Sequence, residues 1–246
     1  MSSPIVLIFG AGANIGYNVA KEFVASGYKA VLTSRKAPTE PDASFSYVQG
    51  DLSDPKSVTD TFSQVRKQFG EPSVVVYNGN SKWHSNKEIA AAVSFTAKED
   101  PFVVDLPTFE KDLNINTTST FVAIKEALAS FAALPETASR TFIYTGNAMN
   151  FLPFGGAMTL GAGKSASAHM IAAAAAAYAP KGYKFYYPDE RQPDGRLGGR
   201  GISGEAHAKI YKKLSEDKTQ GPWLQTFVKG TGYVSFPADT DVSVAH

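Results

Sequence analysis

Apolar and polar positions alternate along this chain in two periods. Ile5 to Phe9 is an unbroken apolar run, the pattern of a strand buried on both faces. Beyond a glycine-rich stretch, apolar residues recur at Ile15, Val19, Phe23 and Val24. They form one face of a helix over 15–26 that Gly27 ends as a C-terminal cap. Strands are predicted at Lys29–Thr33 and Phe45–Val48. Asp54 and Pro55 supply the N-cap and first residue of a helix reaching about Phe69. A very apolar fourth strand covers Val74–Tyr77. Residues 80–107 keep no single period: Ala90–Val93 suits a helix, but Pro101 and Pro107 break any long element. A long helix follows at about Phe109–Phe131, then a fifth strand at Thr141–Thr145. An alanine-dominated helix lies within 164–179, ended by Pro180, and an aromatic strand at Lys184–Tyr187. The Asp-, Arg-, Pro- and Gly-rich stretch around 188–204 reads as a surface or lid segment. Helix returns over Glu205–Leu214, and Leu224–Val228 and Tyr233–Phe236 are short extended segments.

Repeated strand–helix units with apolar strands predict one fold class: α/β, a single-domain, doubly wound parallel sheet of Rossmann type over residues 1–246. No repeat or interdomain linker interrupts it. The 246 residues carry 43% hydrophobic and 19% charged side chains, enough to bury a core as one soluble unit. Net charge is +1, which removes any electrostatic case for a nucleic-acid or anionic-membrane partner. No apolar run approaches the roughly twenty residues a bilayer span needs. The start, Met1-Ser2-Ser3-Pro4, runs straight into strand pattern, so a cytoplasmic protein without signal or transit peptide is expected. There is no cysteine, and His84, His169, His207 and His246 show no ligand spacing, so no metal site is expected.

Chemistry enters at Gly10-Ala11-Gly12-Ala13-Asn14-Ile15-Gly16, between the first strand and the first helix. Glycines there let the backbone turn tightly and approach a pyrophosphate, which the helix amino end attracts with unpaired N–H groups. Gly10, Gly12, Asn14, Ile15 and Gly16 are therefore the phosphate-facing candidates. Asn14 tolerates left-handed backbone angles better than most residues, which would preserve the turn. A structural turn that binds nothing is the bland alternative. The second strand ends in Thr33-Ser34-Arg35-Lys36, where an acidic residue would hold a ribose 2′-hydroxyl and repel a phosphate. Arg35 can instead pair with a 2′-phosphate and Ser34 can donate a hydroxyl, so NADP(H) is expected over NAD(H). The alternative is a solvated basic pair. Asp51 and Leu52 suit an adenine, although a turn-capping aspartate fits equally. Asn78-Gly79 offers a small backbone beside the same crevice.

In order and spacing these pieces resemble the short-chain dehydrogenase/reductase family over nearly the whole chain. The resemblance rests on the Gly10–Gly16 turn, Asp51-Leu52, Tyr77-Asn78-Gly79, Asn116, and Lys164 followed by Ser165-Ala166. It implies a seven-stranded doubly wound sheet, a nicotinamide cofactor, a small-molecule substrate and a homo-oligomer, a dimer being favoured. It also implies a catalytic tyrosine four residues before a lysine that holds the nicotinamide ribose. A serine would orient the substrate carbonyl and an asparagine would support a proton relay. Lys164 and Asn116 match the lysine and asparagine. The tyrosine position holds Leu160, the serine position falls near Gly146-Asn147 with Asn147 the preferred occupant, and Asn14 replaces the second glycine of the nucleotide turn.

Leu160 transfers no proton, and loss of general acid catalysis commonly costs a hundredfold to about ten-thousandfold. Asn147 can still hydrogen-bond a carbonyl. Candidate substitute donors are His84 beside Trp83, Tyr144, Tyr186, Tyr187, or Lys164 through water. His84 follows the fourth strand, on the side where open sheets bind ligands, but also suits an exposed loop. Arg191, Arg196 and Arg200 are read mainly as solvated. The leading expectation is an NADP(H)-dependent oxidoreductase with a non-standard active site, acting on a small or medium carbonyl, alcohol or activated double bond. A catalytically weak NADP(H)-binding protein is the alternative, followed by a lyase or isomerase on the same fold.

Overall fold

The computed structural model describes residues 3–36, 38–79 and 93–236. Its strands are β1 (Ile5–Phe9), β2 (Lys29–Ser34), β3 (Ser46–Gln49), β4 (Val74–Tyr77), β5 (Thr141–Tyr144), β6 (Lys184–Arg191), β7 (Leu224–Val228) and β8 (Gly232–Tyr233). They form one sheet in the order β3-β2-β1-β4-β5-β6-β7-β8. The first seven are parallel; short β8 pairs antiparallel with β7 and adds an eighth strand to the expected seven. The order reverses between β1 and β4, which opens a crevice at the carboxyl ends of those strands.

Helices α1 (Ile15–Ala25), α2 (Pro55–Gln68), α3 (Leu106–Leu113), α4 (Ser119–Ala133), α5 (Met158–Tyr178) and α6 (Gly204–Glu216) cover the sheet. Alternate residues along each strand feed opposite cores. Leu7, Phe9, Tyr77, Tyr144 and Tyr187 share a core with Phe62 of α2, Phe131 of α4 and Ile171 of α5. Val6, Ile8, Val76 and Tyr186 meet Val19 and Phe23 of α1 and Tyr211 of α6. Asp54 caps α2 by accepting from the Lys56 N–H at 3.0 Å.

Several boundaries differ from the pattern-based ones. The long helix expected at 109–131 spans α3 to α4, with a π-helical stretch, Asn114–Thr118, between them. Helix α5 begins at Met158, not 164. Strand β6 runs four residues further, through Pro188-Asp189-Glu190-Arg191, all buried, so the irregular segment starts at Gln192 instead of 188. Two of those residues carry opposite charges that pair within the fold, which a hydrophobicity pattern reads as solvent-facing. Among the described residues no helix is long and apolar enough to cross a membrane.

Candidate active site

The turn between β1 and α1 is shaped by its glycines. Gly10 has φ +79°, and a Cβ there would lie 2.0 Å from the Asn78 carbonyl oxygen, so only glycine fits. A Cβ on Gly16 would lie 2.7 Å from the Gly10 carbonyl, which brings the helix against the turn. Gly12 faces open space. Helix α1 has no side-chain cap and no acidic residue in its first turn. Tyr17 N–H reaches Gly12 O at 3.0 Å, while the Ile15 and Gly16 N–H groups stay at the uncapped amino end. Asn78 donates Nδ2 to Gly10 O at 2.8 Å, and its buried Oδ1 has no partner among the described residues. Gly79 packs beside Leu52 and Ile115. A concave backbone, a small open side and free amide donors together fit a dinucleotide pyrophosphate.

Asn14 does not use the left-handed backbone anticipated for it; its φ is −91°. Its carboxamide engages the chain at the start of α6, donating to Ile202 O at 3.0 Å and accepting from Gly204 N at 2.8 Å. At the end of β2, Ser34 donates Oγ to Lys36 O at 2.6 Å. Arg35 is exposed, and its guanidinium makes no ion pair among the described residues. Asp51 caps its turn, Oδ1 accepting from Ser53 N and Oγ at 2.9 and 2.8 Å. Leu52 packs against the core.

The core at the carboxyl ends of β4 and β5 and midway along β6 carries an aromatic row. Tyr77, Tyr144 and Tyr187 occupy one register row and stack in sequence, with successive centroids 5.6 Å apart. All three phenols donate to main-chain carbonyls: Tyr77 to Ile115 at 2.6 Å, Tyr144 to Asn116 at 3.2 Å, Tyr187 to Asn147 at 2.9 Å. Burial raises all three pKa values, which makes these tyrosines poor acids. Tyr186 lies on the opposite core.

Lys164 is only 1% exposed. Its Nζ donates to Thr145 O at 2.7 Å and sits 4.4 Å from the Tyr144 ring centroid. Burial pulls its pKa down to about 7, against the opposing pull of the Asp189 charge. Asn116 is buried in the π-helical stretch, where its carbonyl accepts hydroxyls from Thr120, Tyr144 and Ser167. Asn147 caps a 3₁₀ turn by accepting from Met149 N at 3.0 Å, which leaves Nδ2 as its free donor. Leu160 packs with Val93 and Ala157 in an apolar cluster flanked by Met149 and Phe154. His84 lies outside the described residues.

Further along β6, Asp189 and Arg191 form a buried pair, of which the sequence reading named only Arg191. Arg191 is 4% exposed, a buried guanidinium instead of the solvated one expected. It pairs through Nε with Asp189, donates Nη1 to Gly195 O at 2.7 Å, and lies 5.2 Å from the Phe151 ring centroid. Burial raises the Asp189 pKa to about 6, although Arg191 works in the other direction. Arg196, by contrast, is exposed and pairs with Asp194.

The sequence profile of short chain dehydrogenases matches residues 4–186. The chain belongs to the short-chain dehydrogenase/reductase family. Members of this family are oxidoreductases that bind nicotinamide cofactors. Solved structures agree in fold. A Serratia marcescens short-chain dehydrogenase/reductase shares 18% identity with TM-score 0.69, covering 93% of this chain and 97% of that one. An NADH-dependent reductase responsible for alginate metabolism shares 17% identity with TM-score 0.74, covering 93% and 97%. A Bacillus anthracis short chain dehydrogenase shares 17% with TM-score 0.72, covering 95% and 98%. An uncharacterized oxidoreductase of Bacillus subtilis, YxjF, is 26% identical over 134 residues, spanning 51% of this chain and 47% of that protein.

Proposed function

We propose that this family member is an NADP(H)-dependent oxidoreductase with a modified proton-handling centre, acting on a small or medium carbonyl, alcohol or activated double bond. The observation that carries this reading is the uncapped amino end of α1 above Gly10 and Gly12, with exposed Arg35 at the end of the neighbouring strand. The turn would hold the pyrophosphate. Arg35 would meet the 2′-phosphate, and Ser34 and Asp51 would flank the adenosine half. The bound cofactor supplies or accepts hydride. Asn147, whose Oδ1 is taken by Met149 N–H, would offer Nδ2 to a substrate oxygen. Leu160 gives no proton, so Lys164, ionising near pH 7, is the acid the reading assigns. Within the same reading the protein is a homodimer, and Phe121 on α4, 52% exposed, would suit a subunit contact.

A second reading is favoured by a specific observation. Leu160 is embedded in an apolar cluster, the Lys164 ammonium is engaged by Thr145, and three hydroxyls occupy the Asn116 carbonyl. This describes a site closed to the usual proton path, as in a cofactor-binding protein with little turnover.

Titration with NADPH and NADH, by nicotinamide fluorescence and calorimetry, tests the shared basis. Selective NADPH binding is expected. Arg35→Ala should weaken NADPH about tenfold or more, the loss of a charged hydrogen bond, and leave NADH unchanged. Equal affinity of the native protein for both cofactors would remove the role of Arg35. NADPH oxidation across a carbonyl panel then separates the readings: turnover supports the first, tight binding without turnover the second.

A further inference from the structure

The departure at Asn14 has a structural partner. Its carboxamide holds two backbone groups of one segment, Ile202 O at 3.0 Å and Gly204 N at 2.8 Å. The fit depends on residue 204 being glycine, because a Cβ there would lie 2.4 Å from the Asn14 carbonyl. Among the described residues, the chain between β6 and α6 is otherwise tied through its first residues, out to the Arg191–Leu197 bridge, and its last, where Ile202 packs against the core. Its start folds back on β6, with Gln192 N donating to Arg196 O at 2.9 Å and Arg191 to Gly195. Its end is tied by Ser203 N donating to Glu190 Oε2 at 2.7 Å. Between them lie Gly198, Gly199 and Gly201, with Gly199 at φ +54°, a stretch of low intrinsic stiffness. A groove of about 320 Å³ lined by Asn14, Asn18, Gly201, Ser203 and Lys229 runs beneath this contact.

We infer that Asn14 is a positioning residue: its carboxamide fastens the 192–203 segment across the nucleotide turn, so that release of the cofactor requires this clasp to open. The coupling to cofactor rests on the nucleotide-binding reading above; the fastening does not. Glycine at position 14 would shape the turn but could not reach the segment. Aspartate would accept from Gly204 N–H and could not donate to Ile202 O.

Limited trypsin digestion tests the fastening without cofactor, because exposed Arg196 lies within the segment. Asn14→Ala and Asn14→Gly should cleave at Arg196 about tenfold faster than the native protein, the factor expected from two lost hydrogen bonds. Asn14→Asp should fall between. Gly204→Ala, which displaces the segment and leaves Asn14 intact, should reproduce the effect. Unchanged cleavage in folded Asn14→Ala, with circular dichroism reporting the fold, overturns the clasp. Stopped-flow release of NADPH tests the coupling. The dissociation rate should rise about tenfold in Asn14→Ala, and NADPH should protect Arg196 in the native protein but less in the variant. Faster cleavage with an unaltered release rate overturns the coupling. Failure of the native protein to bind NADPH overturns the nucleotide-binding reading and the coupling with it, and leaves digestion to decide the fastening.

Discussion

Lys164 and Asp189 are buried ionisable groups moved toward neutrality from opposite sides. The lysine titrates near 7 in the folded protein against an ordinary 10.5, so between those values the unfolded chain binds the extra proton and stability rises with pH. Lys184, lowered by burial to about 8, adds to the upper part of that window. Asp189 acts lower down: near 6 when folded against 3.8, it makes stability fall as pH rises between those values. Urea unfolding from pH 7 to 9.5 should therefore show stability increasing, and Lys164→Met should flatten the lower part of the rise. An unchanged slope in that variant would remove the buried ammonium as its source. Leu160 gives a second residue-scale prediction. A tyrosine there would push a hydroxyl and extra volume into the cluster of Val93 and Ala157, costing about 1–3 kcal/mol in urea denaturation. NADPH affinity should stay unchanged, because Leu160 is remote from the glycine turn in role and packing. The glycine turn, Asn116 and Lys164 could be singled out as candidates because of their order and spacing, and Asn147 through the family resemblance. The burial of the Asp189–Arg191 pair was not legible, since charged residues at the end of a strand read as solvent-facing in a hydrophobicity pattern.

At the scale of elements, the π-helical stretch between α3 and α4 decides how the site is supported. The wider turn presents the Asn116 carbonyl to hydroxyls from three elements: Thr120 on α4, Tyr144 on β5 and Ser167 on α5. This carbonyl thus joins the sheet to both helices over it. Tyr144→Phe and Ser167→Ala should each cost about 0.5–1.5 kcal/mol. The two losses should not add, because both hydroxyls share one acceptor. A double-mutant cycle by urea denaturation measures that coupling, and strict additivity would mean that the two hydroxyls act independently. A 3.6-residue period runs through Phe109–Phe131 with too little interruption to reveal five π-helical residues. The start of α5 was hidden for another reason. Gly161 and Gly163 lower helix propensity, yet Gly163 is placed where a Cβ would lie 2.5 Å from the Asn116 Cβ. Close packing of α5 on the π-helical stretch outweighs the propensity loss, and only the assembled structure contains that contact.

Across the whole molecule, the alternation of buried strands and amphipathic helices carried the architecture, and it located the crevice where the strand order reverses between β1 and β4. It indicated an extended segment at Tyr233–Phe236 but not its pairing: β8 covers only Gly232–Tyr233 and joins the sheet antiparallel to β7. Nor could it show that the amino ends of α1 and α6 are tied together, since Asn14 and Gly204 stand 190 positions apart. That long-range closure bears on how a ligand at the turn acts on the entire fold. A cofactor bound to the native state alone stabilises it by about 2.7 kcal/mol at a hundredfold excess over its Kd. NADPH at that excess should raise the unfolding free energy by this amount. NADH at the same concentration should raise it less if Arg35 selects the 2′-phosphate, and Arg35→Ala should bring the two together. Because α1, the glycine turn and α6 are joined by side-chain and backbone contacts, the gain should appear in one cooperative transition. Separate transitions for the 192–203 segment and the remaining fold would show that cofactor stabilises the turn without engaging the clasp.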